Sequence, residues 1–94
     1  MNFTVIWRRA LMDEIAQFYV DALEQGEDAS AVSRAVATID HFLAVAPDTC
    51  GESRGTYERV FIIAPLTVIY EIHEEERIVY ILRVFYTTKR PRPK

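Results

Sequence analysis

The sequence has 94 residues, half of them apolar and 27% charged, the balance of a globular domain with one core. No apolar run approaches the ~20 residues of a membrane-spanning helix, and a single cysteine, Cys50, excludes an internal disulfide. The net charge of −3 divides unevenly: residues 1–86 hold seven Lys/Arg against fourteen Asp/Glu, whereas TTKRPRPK at 87–94 holds four basic groups and no acid. An acidic body argues against broad duplex binding, which needs many phosphate-neutralising cations; the tail keeps a local polyanion contact open. The start, MNFTVIWRRA, places its charges after a short apolar stretch, the reverse of a secretory signal. Cysteine usage then makes the cytoplasm the default compartment.

In chain order, Phe3–Trp7 is a β-branched and aromatic run and reads as a first strand. From Arg9 to Gln25 the residues Leu11, Ile15, Phe18, Tyr19, Ala22 and Leu23 follow helical spacing, with Gly26 as a left-handed stop. A second helix starts near Asp28 or Ser30, carries the stripe Val32, Val36, Ile39, Leu43 and Ala46, and ends before Pro47. Three further strands follow at Tyr57–Ile63, Leu66–His73 and Arg77–Tyr86, separated by Ala64-Pro65 and Glu74-Glu75-Glu76. The expected fold is α+β: one domain over 1–94 in the order β-α-α-β-β-β, a two-helix hairpin packed on an antiparallel sheet. Residues 87–94 form a basic tail.

A three-residue loop at Glu74–Glu76 predicts a register pairing His73 with Arg77, Ile72 with Ile78, Tyr70 with Tyr80 and Val68 with Leu82. On that register Phe61, Ile63, Leu66, Val68, Tyr70, Ile72, Ile78, Tyr80, Leu82 and Val84 face the helices. The opposite face carries Val60, Ile62, Ile69, Val79, Ile81 and Phe85, edged by Glu58, Glu71 and Arg83. Two helices do not cover both faces of a sheet, so this second apolar face is expected to bind a partner unless the sheet curls over it. His41 and His73 have no ligand spacing with Cys50, and no cofactor or metal site is expected.

Three stretches carry a family likeness: TVIWRRALMDEIAQFY, AVATIDHFLAVAPDTCGESR and ERVFIIAPLTVIYEIHEEERIVYILRV. Together, in this order, they resemble the RelE/ParE superfamily of toxins from type II toxin–antitoxin systems, in particular the plasmid-stabilisation type. The resemblance implies a small cytoplasmic toxin, neutralised by an antitoxin whose peptide wraps over the sheet and helices. Family members act on translation, by cutting messenger RNA in the ribosome, or on DNA gyrase; neither route uses a metal or an organic cofactor. If the chain is an enzyme, it is a metal-independent, ribosome-dependent endoribonuclease.

Such cleavage needs groups that activate the ribose 2′-OH, stabilise the phosphorane and protonate the leaving oxygen. At the family's positions stand Arg59, Arg83 and Tyr86 as catalytic candidates, and Arg54, Lys89 and Arg90 as nucleic-acid-binding ones. Three departures stand beside them: Ile62 or Ile63 replaces a basic residue on the first meander strand, Tyr86-Thr87 stands just beyond the last strand where the family often has Arg, and the Thr49–Thr56 loop has a single Arg. A structural reading accompanies each candidate, with Arg59 pairing to Glu52 or Glu58 and Arg83 to Glu71. The alternative function is a catalytically silent RelE/ParE-fold module that only binds protein, and a second copy of the chain is a further candidate for the open sheet face.

Overall fold

The computed structural model describes residues 2–54 and 57–87, and of Arg54 only the backbone. Strand β1 (Thr4–Trp7) leads into helix α1 (Arg9–Glu24), which ends in the predicted glycine cap. Gly26 sits at φ +72, its N–H donates to the Leu23 carbonyl at 3.2 Å, and the Glu27 N–H reaches the Ala22 carbonyl at 2.8 Å. Both bonds satisfy carbonyls that the helix end would otherwise leave free. Helix α2 (Ser30–Val45) follows at once. The Asp28 carboxylate accepts the Ser30 N–H at 3.1 Å and the Ser30 hydroxyl at 2.6 Å, so Asp28 opens the helix as its side chain suggested. The helix stops ahead of Pro47.

The remaining chain forms β2 (Glu52–Arg54), β3 (Glu58–Ile63), β4 (Leu66–His73) and β5 (Ile78–Tyr86). All five strands join one sheet in the order β1-β5-β4-β3-β2. The meander pairs antiparallel as expected, while β1 lies parallel to β5, which makes the sheet mixed. Strand β2, inside a stretch read from sequence as a loop, pairs with β3 at the far edge.

Both helices cover one face of this sheet. Leu11 and Ile15 of α1 and Val32, Ala35, Ile39 and Leu43 of α2 meet Leu66, Val68, Tyr70, Val79, Ile81 and Val84 in a continuous core. Each such aliphatic side chain contributes about 1.5–3 kcal/mol by leaving water. Two bonds fasten β1 to α2: the Phe3 N–H donates to the Ala44 carbonyl at 2.7 Å, and the Trp7 indole N–H to Asp40 at 3.0 Å.

The predicted register of the last hairpin is corrected. Its loop is four residues, Glu74–Arg77, with Arg77 at φ 58, so His73 pairs with Ile78 and Ile72 with Val79. A one-residue slip inverts every side chain. Val79 and Ile81, assigned from sequence to the open partner-binding face, are therefore fully buried against the helices, and Ile78 and Tyr80 take the outer face instead. A bulge between Ile69 and Tyr70 then sets Leu82 and Arg83 together opposite Ile69. That extra residue restores the expected orientation beyond it: Val84 is buried and Phe85 is exposed. Leu82, expected in the core, is the residue the bulge displaces.

Candidate functional site

Of the candidates that the structure describes, Arg59, Arg83 and Tyr86 do not share one surface. Arg59 pairs with Tyr70 across β3 and β4, on the helix side of the sheet. Tyr70 is fully buried, and its hydroxyl lies 2.6 Å from the Cys50 carbonyl and 2.8 Å from the Pro47 carbonyl. The Arg59 guanidinium donates through Nε to the Tyr70 hydroxyl at 3.3 Å, and through one terminal nitrogen to the carbonyls of Cys50 at 3.3 Å and Gly51 at 3.2 Å. Arg59 thus holds the chain between α2 and β2, and its partners are backbone carbonyls rather than the carboxylates of Glu52 or Glu58. Burial pushes the Tyr70 phenol above its ordinary value and does the same to the Cys50 thiol, so neither is an acid or nucleophile suited to neutral pH.

Arg83 stands on the other face of the sheet. Its guanidinium reaches 3.8 Å from Glu58 on β3, across the intervening strand β4, rather than pairing with Glu71. Both groups are well exposed, and a pair of this kind is worth about 0–1 kcal/mol. Below it Ile69 is nearly covered, at 4% exposure, although it points away from the helices.

Tyr86 returns to the helix side, at the opposite end of the sheet from Arg59. Four strand positions and two strand spacings separate the two, a distance of roughly 16 Å. The Tyr86 hydroxyl donates to Glu27 Oε1 at 2.6 Å, and the ring stacks on Phe18 at 5.5 Å between centroids. The hydrogen bond to the Glu27 carboxylate, with a smaller part from desolvation, pushes the phenol up to about 12. A phenol held this way keeps its proton and does not act as a general base near neutral pH. Arg54 lies in β2 with its side chain outside the described residues, and Lys89 and Arg90 also fall outside them.

Of the expected partner-binding residues, Ile62 and Phe85 are open on the outer face, at 65% and 46% exposure. Val60 is half-buried beside them, and Ile69 is on the same face but covered. Ile6, Ile78 and Tyr80 extend this face toward β1; sequence reasoning missed Ile78 and Tyr80 because its register turned β5 over, and Ile6 because it assigned β1 no partner strand. At one end His73 lies 2.8 Å from Glu71 and packs edge-on against Tyr80. A second missed surface lies on α1, where Tyr19 and Leu23, predicted to be buried, are 38% and 59% exposed. The sequence signal for it was the width of the apolar arc on α1, broader than one helix-on-sheet contact can cover.

No group of three or more His, Cys, Asp or Glu side chains is placed to hold a metal ion among the described residues. No helix among them is long and apolar enough to cross a membrane. No curated protein matches the chain in sequence. A family model described as the ParE toxin of the type II toxin–antitoxin system parDE matches residues 5–91, nearly the whole length, and the chain belongs to that family of toxins.

Proposed function

We propose that this toxin acts by holding a protein target, DNA gyrase, rather than by cutting messenger RNA, and that its antitoxin neutralises it by covering the outer face of the sheet. The observation that carries this reading is the separation of the three described candidates, Arg59, Arg83 and Tyr86. Arg59 is spent on backbone carbonyls and Tyr70, Arg83 faces away from the helices beside Glu58, and Tyr86 is bound to Glu27. Phosphodiester cleavage without a metal needs an acid, a base and a cation around one phosphate, and these three do not meet there. A protein-holding toxin needs only a surface. The acidic body fits the same reading, since a ribosome-directed nuclease has to approach polyanionic RNA.

The antitoxin is expected on Ile62, Phe85, Val60, Tyr80 and Ile78, an apolar patch edged by Glu58, Glu71 and Arg83. Such a patch on a sheet that helices cover on one side only is the usual mark of a partner surface. Both actions place the protein in the cytoplasm.

The test measures two activities of the purified chain side by side: supercoiling by DNA gyrase, and cell-free translation with message integrity read in the same tubes. Supercoiling is expected to fall while messages stay intact, and added antitoxin to reverse the loss. Phe85→Asp is expected to keep the fold and weaken that reversal. Messages cut at codon positions with supercoiling untouched would overturn the reading in favour of a ribosome-dependent nuclease. Inactivity in both assays would favour the silent binding module.

A further inference from the structure

A groove of about 290 Å³ opens at the end of the molecule where α1 turns into α2. It is walled by Glu27 and Asp28 of that turn, Ala31 and Arg34 of α2, Pro65 of the β3–β4 turn and Tyr86 of β5. The chain leaves the sheet at the same place. Thr87, the last described residue, is exposed, and its N–H donates to the Pro65 carbonyl at 2.7 Å. Whatever follows Thr87 therefore starts at a wall of the groove.

The charges at this end supply a second observation. Residues 21–34 hold four acids, Asp21, Glu24, Glu27 and Asp28, against one base, Arg34. Arg34 is already engaged, 3.1 Å from Asp28 and 2.8 Å from the Ser30 hydroxyl, and Arg83 stands on the opposite face of the sheet beside Glu58. The last turn of α1 carries no base, although the negative end of a helix dipole favours one there. Residues 88–94, outside the described residues, hold Lys89, Arg90, Arg92 and Lys94 and no acid. Glu27 is bonded to Tyr86, so Lys89 and Arg90 need at most about 7–11 Å of backbone beyond Thr87 to come beside it. The other acidic site, the Glu74–Glu76 turn, lies the length of β5 away, roughly 27 Å, which seven residues span only when fully extended.

We propose that the basic segment 88–94 folds back into this groove of its own chain, with Lys89 and Arg90 against Glu27 and Asp28 and with Pro91 against the Tyr86 ring. Prolines 91 and 93 lower the ordering cost of such a contact, because their backbone is restricted before it docks. The segment supplies the cations that the end of α1 lacks. The ion pairs lie at the surface, so the contact weakens as salt is added. A polyanion that approaches the tail has to compete with the chain's own carboxylates for it. The contact does not depend on which target the toxin holds.

The chain's two lysines, Lys89 and Lys94, both lie in this segment, so carbodiimide coupling of lysine amines to carboxylates reads where the segment sits. Equal amounts of unlabelled and ¹⁵N-labelled full chain are coupled at low salt, digested and identified by mass. Links from Lys89 or Lys94 to Glu24, Glu27 or Asp28 are expected, each within one chain, and their yield should fall at least about fivefold at about 1 M salt. Links that join labelled to unlabelled chains, or that lead to Glu58, Glu71 or the Glu74–Glu76 turn, would overturn the proposal. A yield unchanged by salt would also overturn it, since the covalent tether alone would then explain the links. So would the absence of lysine links while added glycine methyl ester couples to the same carboxylates. In a second measurement all four bases of the segment are replaced by Gln. The amide resonances of Gly26, Glu27 and Ala31 should shift while those of Glu74–Glu76 stay in place, and unmoved groove resonances would refute the contact.

Discussion

Replacing Tyr70 with Phe isolates what the buried hydroxyl contributes. The ring stays in a fully buried site, so packing is kept and only the oxygen leaves. That hydroxyl has one proton to offer, shared between the Cys50 carbonyl at 2.6 Å and the Pro47 carbonyl at 2.8 Å. In the variant the Cys50 carbonyl retains the Arg59 guanidinium at 3.3 Å, whereas the Pro47 carbonyl loses this donor. One lost hydrogen bond costs about 1 kcal/mol, and a desolvated carbonyl left without that donor adds about 1 kcal/mol more. The total, about 2 kcal/mol, is a sizeable part of the roughly 5–14 kcal/mol expected for a domain of this length. In a urea titration the midpoint should fall by about 1 M with an unchanged slope. The melting temperature should fall by roughly 8–16 °C. Arg59→Gln should also lower the midpoint, by about half to three-quarters as much, because its three bonds are long. Were Arg59 a catalytic group instead, its loss would leave the unfolding curve in place. An unfolding free energy for Tyr70→Phe within about 0.5 kcal/mol of the unaltered chain would refute the reasoning, since two short contacts would then contribute nothing.

The two glycines with positive φ should respond differently to alanine. At Gly26, φ +72, an added Cβ meets nothing within 4 Å, so Gly26→Ala costs only the left-handed strain, about 1–2 kcal/mol by thermal melting. At Gly51, φ +63, the Cβ collides with the Val60 carbonyl, so Gly51→Ala adds a backbone displacement at the β2–β3 edge and should cost at least about 3 kcal/mol. The third prediction concerns pH. The Tyr86 phenol is raised from an ordinary value near 10 to about 12 by the Glu27 carboxylate, so the contact's contribution to stability is fully present below pH 10 and is lost as pH rises toward 12. Ultraviolet titration of Glu27→Gln should return one phenol to near 10; a titration curve identical to that of the unaltered chain would show that the hydrogen bond does not hold this proton.

Local chemistry made the helices and their ends legible. Gly26, Asp28 and Pro47 each restrict the backbone where they stand, and α1 and α2 begin and stop within a residue or two of them. The hairpin at Ala64-Pro65 was legible for a similar reason, because a two-residue connection leaves one register, with Ile63 opposite Leu66. The next hairpin shows where such reading ends. Its loop takes an arginine, Arg77, into the left-handed region that glycine or asparagine usually fills, so no residue type announced the fourth loop position. Strands β4 and β5 are apolar on both faces, and alternation therefore did not penalise the slipped pairing of Val79 and Ile81. The same two-sided character that concealed the register is what puts Ile62, Phe85, Ile78 and Tyr80 on the outer face. The candidate site was least legible for a different reason. Arg59, Arg83 and Tyr86 have the right chemistry for RNA cleavage one at a time, and only the bulge, the bond to Glu27 and the carbonyls of Cys50 and Gly51 show that the fold sets them apart. Residue type proposes a cation or a phenol; whether it is available depends on the groups the fold has already given it.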